Sequence, residues 1–399
     1  MRILFCTPRL PFPPVKGDQS VALQRLKHLS RKHEIVLLSF FSADEELSYL
    51  THLKPYCTEI HVVRLEASRS ILNMIIGAVN PGMPFQVSYY QSTSFTNKLH
   101  TILNEQSFDL VHSVLVRLAP YMQTVKQPQV VDLIDSMTLN MRRRVARETG
   151  LKRLIFSEEL RRVRQYERSI IGRYRNTAAI VVSRIDQQEL CSPKVRVIPL
   201  GIDLDTFYPP PEPQSQEKIK TQRIIFSGNM GYEPNISAVE WFVGNCLETI
   251  RRTIPEVELH IVGTNPSNRI LKLAQRQGIV VTGWVESIAD YLRNSSVAIA
   301  PMQSGSGMQY KILEAMACGL PVVTTPIGLG DIRAQPNQAI LVAESRDDFA
   351  REVIQILSNP EQREKIGQNA HDFVNRKHSW SAVNQELDML YAELAGLPS

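Results

Sequence analysis

The sequence predicts an α/β protein of two doubly wound, parallel-sheet domains, on three observations. The chain has 399 residues, more than one hydrophobic core ordinarily serves. Short apolar runs such as Arg2–Thr7, Phe108–Ser113 and Val297–Pro301 alternate with segments of helical spacing, the pattern of strands covered on both faces by crossover helices. A strand–loop–helix opening occurs at Arg2 and again at Arg223, after the linker-like stretch Pro209–Gln222 (PPPEPQSQEKIKTQ). The expected division is 1–200, 201–378 and a terminal helix over 379–399.

Composition narrows the class. Apolar residues make up 43% and charged residues 21% of a chain of net charge +5, as in a globular protein. The five cysteines stand singly, which argues against zinc and against a disulfide framework and fits a reducing compartment. The opening MRILFCTPRLPFPP runs straight into a strand and prolines, unlike a signal peptide. The nearest approach to a membrane span, Ile71–Val79, is far too short. The expected location is cytoplasmic, at most peripheral to a membrane.

In the first domain Arg2–Thr7 reads as a central strand and Pro8–Pro14 as a rigid loop. Gly17-Asp18-Gln19-Ser20 precedes a helix with Val21, Leu23, Leu26 and Leu29 inward, and Ile35–Phe41 is the next strand. The GxGxxG fingerprint is absent, which disfavours a nicotinamide dehydrogenase. Glu59–Leu65 is a strand, and Ile71–Val79 reads as a core helix packed on the sheet. Phe108–Ser113 and Gln129–Ile134 are further parallel strands. Asp135 and Ser136 follow, where ligands gather beyond strand carboxyl ends; the same two residues also suit a helix N-cap.

Residues 141–176 hold twelve Lys or Arg against four acids, with apolar residues at helical spacing. Such a face docks on anionic lipid or attracts a phosphorylated ligand, or is a solvated face neutralised by i,i+4 pairs. Nucleic acid is disfavoured, because no binding motif accompanies the charge. Ala178–Ser183 closes the domain.

The second domain repeats the opening: the strand Arg223–Phe226, the glycine turn Ser227–Gly231, and a helix entered at Pro234-Asn235. Val257–Gly263 and Val297–Pro301 are the next strands. The organising stretch is Pro301–Asp331. Gly305 and Gly307 allow positive φ and close approach to a ligand. The helix Gln309–Ala317 turns its free N–H groups and positive dipole end toward that loop, an anion site suited to phosphate. Glu314 lies past the first turn and is better placed to accept hydrogen bonds from a diol such as ribose. Gly319-Leu320-Pro321 ends the helix, and Val322-Val323 opens a strand. Ala339–Val342 is a last strand, Asp347–Leu357 and Pro360–Asn375 are surface helices, and an amphipathic helix starts at Ser379-Trp380.

The string GSGMQYKILEAMACGLPVV resembles the donor-binding segment of retaining, nucleotide-sugar-dependent glycosyltransferases of the group-1/family-4 type, near the sugar transferases of exopolysaccharide biosynthesis. The resemblance extends over nearly the whole chain. It implies the GT-B fold, two Rossmann-like domains facing a central cleft. It also implies a hexosyltransferase that moves a sugar from a UDP- or GDP-sugar to a glycan or lipid-linked acceptor, with retention. No metal or cofactor is implied, the nucleotide-sugar being a substrate; the lack of a DxD motif agrees.

Residue by residue, Gly17 matches the glycine loop of the first domain, where a pair of glycines is more usual. Gly228 and Asn229 match the loop that meets the donor diphosphate. The family's arginine and lysine are replaced there by Asn229 and Pro234-Asn235, leaving Lys311 to supply one charge. Val285 belongs to the turn that meets the nucleobase. Gly307, Met308, Gln309, Ile312 and Glu314 belong to the donor segment, with Ser306 in place of a first glutamate. Relatives carry a histidine where Asp135 stands; Asp135 is assigned to orient sugar or acceptor, and Lys311 to stabilise the leaving group. The 71–90 region lies near the acceptor side and the membrane in similar enzymes, and the last helix crosses back to the first domain. Two competitors stay open: a nucleotide-sugar epimerase of the same build, and a non-catalytic sugar-nucleotide-binding partner in a polysaccharide assembly complex.

Overall fold

The computed structural model describes residues 1–79, 82–173, 177–210, 222–304 and 308–396. The chain divides into two compact units, Met1–Leu200 with Val383–Ser399, and Gly201–Ala382. Most of the linker-like stretch, residues 211–221, lies outside the described residues.

The first unit holds β1 (Arg2–Thr7), β2 (Glu34–Phe41), β3 (Glu59–Arg64), β4 (Leu110–Val114), β5 (Gln129–Ile134), β6 (Thr177–Val181) and β7 (Val195–Val197), in the order β3-β2-β1-β4-β5-β6-β7. The second holds β8 (Arg223–Ser227), β9 (Glu258–Val262), β10 (Ile279–Gly283), β11 (Val297–Ala300), β12 (Val322–Thr324) and β13 (Leu341–Val342), in the order β10-β9-β8-β11-β12-β13. Every pairing is parallel, so each sheet is covered on both faces and its strands read as unbroken apolar runs. The period of two divides each run between two cores. Ile3 and Phe5 pack on one face of the first sheet, Leu4 and Cys6 on the other. Ile224 and Phe226 face one core of the second sheet and Ile225 the other.

Several elements differ from expectation. The helices Arg346–Ser358 and Pro360–His378 are not merely superficial: Phe349, Val353, Ile366 and Val374 are buried in core clusters. The largest correction concerns Ile71–Val79. The helix exists, over Ala67–Ala78, but it is not a core helix: Ile71, Leu72, Ile75, Ile76 and Val79 are all exposed, by 49 to 83%. An apolar stripe shows that one helix face avoids water; it does not say what covers that face.

The last helix, Trp380–Ala395, sends Val383, Leu387, Leu390 and Tyr391 into the core of the first unit. The Tyr391 hydroxyl lies 2.5 Å from His112 Nδ1 in a fully buried cluster. The His112 ring stacks on Phe5, and Arg25 Nε lies 2.6 Å from Asp132 Oδ2. Burial pushes the Asp132 carboxyl up, but Arg25 and His112 more than offset it and leave it below the usual carboxylate range.

Candidate active site

In the second sheet the winding reverses between β8 and β11, so the segments leaving these neighbours diverge and open a crevice at their carboxyl ends. Gly228 leaves β8 with φ +145°. A Cβ there would lie 2.9 Å from Asn235 Nδ2 and 3.4 Å from Lys311 Nζ. Gly263, at the end of β9, is equally required: its Cβ would meet the Gly228 carbonyl oxygen at 1.8 Å. The glycines therefore bring backbone and side chains together where a ligand would sit.

Asn235 ties this crevice together. Its Nδ2 donates to the Asn229 carbonyl at 2.9 Å, fixing the glycine turn, and its Oδ1 accepts from Lys311 Nζ at 2.5 Å. Lys311 comes from the first turn of the helix Tyr310–Ala317, beyond β11. Its ammonium also sits over the Phe226 ring, 4.3 Å from the centroid, and 3.9 Å from Met302 Sδ. Asn235 Oδ1 is its one oxygen partner among the described residues. Burial pushes the Lys311 amine down to about 7, with the Glu314 carboxylate pulling the other way. The Glu314 carboxyl is in turn pushed up by burial and drawn back by Lys311. Among the described residues nothing hydrogen-bonds the Glu314 carboxylate. A helix N-terminus, a cation with spare donors and a carboxylate with spare acceptors thus share the first turn and a half of one helix.

The predicted residues divide accordingly. Lys311, Glu314 and Gly228 are brought to this crevice. Met308 and half-buried Gln309 lead into the helix, Gln309 as an N-cap whose side chain makes no capping bond. Gly307, with Gly305 and Ser306, lies outside the described residues. The Ile312 side chain is a correction: it is fully buried in the core, so it supports the helix and meets no ligand. Asn229 builds its own turn, its Oδ1 accepting from Gly231 N at 2.9 Å. Val285 packs at the margin of the core after β10, beside the exposed indole of Trp284. Asn235 was missed as an active contributor; its partner lies 76 positions away, and no local pattern reveals it.

In the first unit Gly17 opens the helix Gly17–Leu29, and a Cβ there would meet nothing within 4 Å. Asp135 follows β5 but does not cap the next helix, Met137–Arg147; Ser136 does, its Oγ accepting from Leu139 N at 3.3 Å. Asp135 accepts one bond, from Asn140 Nδ2 at 2.8 Å, and burial pushes its carboxyl up. The amides of Met137 and Thr138 donate to the buried Glu167 carboxylate at 2.8 and 3.1 Å, and the Thr138 hydroxyl at 2.6 Å. The chain thus fills this helix end with its own anion. Two non-glycine residues at the ends of adjacent strands, Leu115 after β4 and Ile134 in β5, have φ of +65°. Strain of about 1–3 kcal/mol each is the sort found beside functional sites. Among the described residues no cluster of three or more His, Cys, Asp or Glu is arranged to hold a metal ion.

Two parallel α/β units, one with a crevice at its switch point, are the GT-B architecture. Residues 221–359 match the family model "Glycosyl transferases group 1". The match lies within the second unit. An uncharacterised 44.6 kDa protein in the cps region of Klebsiella pneumoniae is 20% identical over 96% of this chain and 97% of its own. Sucrose-phosphate synthase from Thermosynechococcus elongatus superposes with a TM-score of 0.67 at 17% identity, over 99% of this chain and all of that one. HepE of Anabaena, solved in complex with UDP, gives 0.64 at 16% identity, over 98% and 100%.

Proposed function

We propose that the chain transfers a hexosyl group, with retention, from a UDP- or GDP-sugar held on the second unit to a glycan or lipid-linked acceptor, in polysaccharide or glycoconjugate biosynthesis. The observation that carries this reading is the meeting of Lys311, Asn235 and the Gly228 turn at the β8/β11 switch point, with Glu314 unpaired one turn further along the helix. The first-turn amides and Lys311 stabilise charge as it grows on the leaving diphosphate. Glu314 accepts from the ribose hydroxyls, and Asp135 orients sugar or acceptor. The Lys311 ammonium supplies locally the positive charge that a metal supplies in other transferases, and no metal or cofactor is assigned.

The cps-region relative and the UDP complex of HepE support the polysaccharide setting and the donor class. Among the described residues no helix is long and apolar enough to cross a membrane. The proposed location is cytoplasmic, at the inner face of the plasma membrane, with the basic 141–176 segment toward anionic lipid. Purified protein incubated with UDP- and GDP-hexoses and a membrane extract as acceptor should release UDP or GDP and incorporate labelled sugar. Saturable donor binding with no release under any acceptor would favour the non-catalytic partner and sink this reading.

A further inference from the structure

The first sheet has a switch point of its own. Its winding reverses between β1 and β4, so the segments leaving these neighbours part at their carboxyl ends. Charged residues stand on this rim. β4 and β5 pair in parallel with Val114 opposite Asp132, which puts Arg117 and Asp135 equally far beyond the two strand ends. Arg9 follows β1, across the switch point. The chain enters the rim under strain. Leu115 and Ile134, on these adjacent strands, both hold φ of +65°, a region that bulky side chains avoid.

The two arginines are answered differently. Arg9 Nε lies 3.1 Å from Asp18 Oδ2, a pair that the chain completes by itself. Half-buried Arg117 has no carboxylate partner among the described residues. Its Nη2 donates to the neutral Gln86 amide at 3.3 Å, and its guanidinium lies 5.3 Å from the centroid of the Tyr90 ring. These contacts fix the charge in place without neutralising it. The Tyr90 hydroxyl lies 3.5 Å from Arg9 Nη2, so one phenol reaches both sides of the switch point.

Asp135 is the complement. It takes one hydrogen bond, from Asn140, and keeps most of its acceptor sites open. Burial pushes its carboxyl up and Asp186 adds to that, while Asn140, Arg143 and Arg117 draw it back. Neither arginine is within ion-pair distance of it among the described residues. The rim therefore offers an acceptor-only group beside a planar donor fork that no anion occupies. A neutral sugar would satisfy the first and leave the second unanswered.

We infer that the first-unit switch point selects an anionic sugar: Arg117 takes its carboxylate or phosphate, and Asp135 accepts from a hydroxyl of the same ring. The inference rests on the proposed sugar transfer and names the charge class of the sugar that this unit meets. Register carries it, because equal positions on adjacent strands set the two groups side by side, and the strained turns at Leu115 and Ile134 are the cost of that placement. Arg117 is then the residue that separates charged from neutral sugars.

The test titrates the full chain in a calorimeter with two sets of ligands. The first is glucose, glucuronate and glucose 6-phosphate, with UDP at saturation to occupy the anion site at Lys311. The second is UDP-glucose and UDP-glucuronate. The expected result is binding about tenfold tighter for the anionic members of at least one set. A gain in the first set assigns the anion to the acceptor, and a gain in the second alone assigns it to the transferred sugar. Arg117→Gln should abolish the gain, with circular dichroism and UDP affinity reporting on the fold. Asp135→Asn should weaken neutral and anionic members of that set alike and keep their ratio. Equal affinity for neutral and anionic members of both sets in the parent would overturn the inference, whatever the variants do. So would a gain that survives Arg117→Gln, or sugar affinities unchanged in Asp135→Asn. Failure of the donor reading would show separately, as no UDP binding with the free-sugar preference intact in Lys311→Met.

Discussion

Two helices begin beyond the carboxyl end of a central parallel strand, Met137–Arg147 after β5 and Tyr310–Ala317 after β11, and they have opposite fates. The first is closed by the protein. Ser136 caps it, and the buried Glu167 carboxylate takes the amides of Met137 and Thr138 and the Thr138 hydroxyl. The second has no side-chain cap, a lysine with one oxygen partner, and a glutamate that nothing hydrogen-bonds among the described residues. Both ends carry the same partial positive charge. Only the one the chain leaves unfilled is available to an outside anion, so helix position alone does not locate a phosphate site. The inventory of what already occupies each helix end does.

Removing the internal anion should produce the largest effect. Glu167→Ala would strand two buried amides and the hydroxyls of Ser136 and Thr138, and at about 1 kcal/mol or more for each orphaned donor the first unit should lose about 4 kcal/mol. Urea denaturation followed by circular dichroism reads this as a shifted midpoint. A midpoint within error of the parent would mean that the helix end is solvated, and the contrast with the second helix would collapse.

The same operation on the second helix should cost binding instead of stability. Lys311→Met removes a buried charge of marginal benefit to the fold, so the denaturation midpoint should stay level or rise. Affinity for a UDP-sugar should fall about a hundredfold, the loss of a charge-assisted contact worth about 2–3 kcal/mol. Calorimetric titration gives both numbers on one preparation. Parent-like affinity with a lowered midpoint would show Lys311 to be a structural cation like Arg25.

Much of this contrast was invisible in the sequence, for a physical reason. Parallel strands covered on both faces must be apolar throughout, so Arg2–Thr7, Gln129–Ile134 and Val297–Ala300 could be read directly. The glycine turn at Gly228 and the Glu314 helix were legible because backbone geometry and helix ends leave local signatures. Partnerships across the fold leave none. Glu167 meets Met137 from 30 positions away, Lys311 meets Asn235 from 76, and Arg25 meets Asp132 through the first-unit core. The Ile71–Val79 stripe fails in a different way: its periodicity is the same whether a sheet covers that face or leaves it exposed, and the core reading chose the commoner case.

A smaller effect sharpens the division of labour along the second helix. Glu314→Ala should weaken UDP-sugar binding by about tenfold, since the ribose would lose its acceptor while the diphosphate contacts persist. If Glu314 grips the ribose, the same substitution should barely change affinity for inorganic pyrophosphate. An equal loss for pyrophosphate would assign the glutamate to the Lys311 ammonium instead, as the partner that keeps it charged.

A last effect is graded with pH, and its sign separates folding from binding. Burial lowers the Lys311 amine from 10.5 to about 7. Between those values the unfolded chain holds a proton that the folded protein lacks, so this group adds stability as pH rises through the window. Donor binding runs the other way. The diphosphate favours the ammonium, so binding above pH 7 must draw in a proton, and affinity for a UDP-sugar should decline by up to about tenfold per pH unit as pH rises from 7. Titrations in buffers of different ionisation enthalpy would measure that uptake. Lys311→Arg, charged throughout, should abolish the uptake and flatten the profile. A declining profile that persists in Lys311→Arg would place the titrating group elsewhere and remove the lysine from the diphosphate.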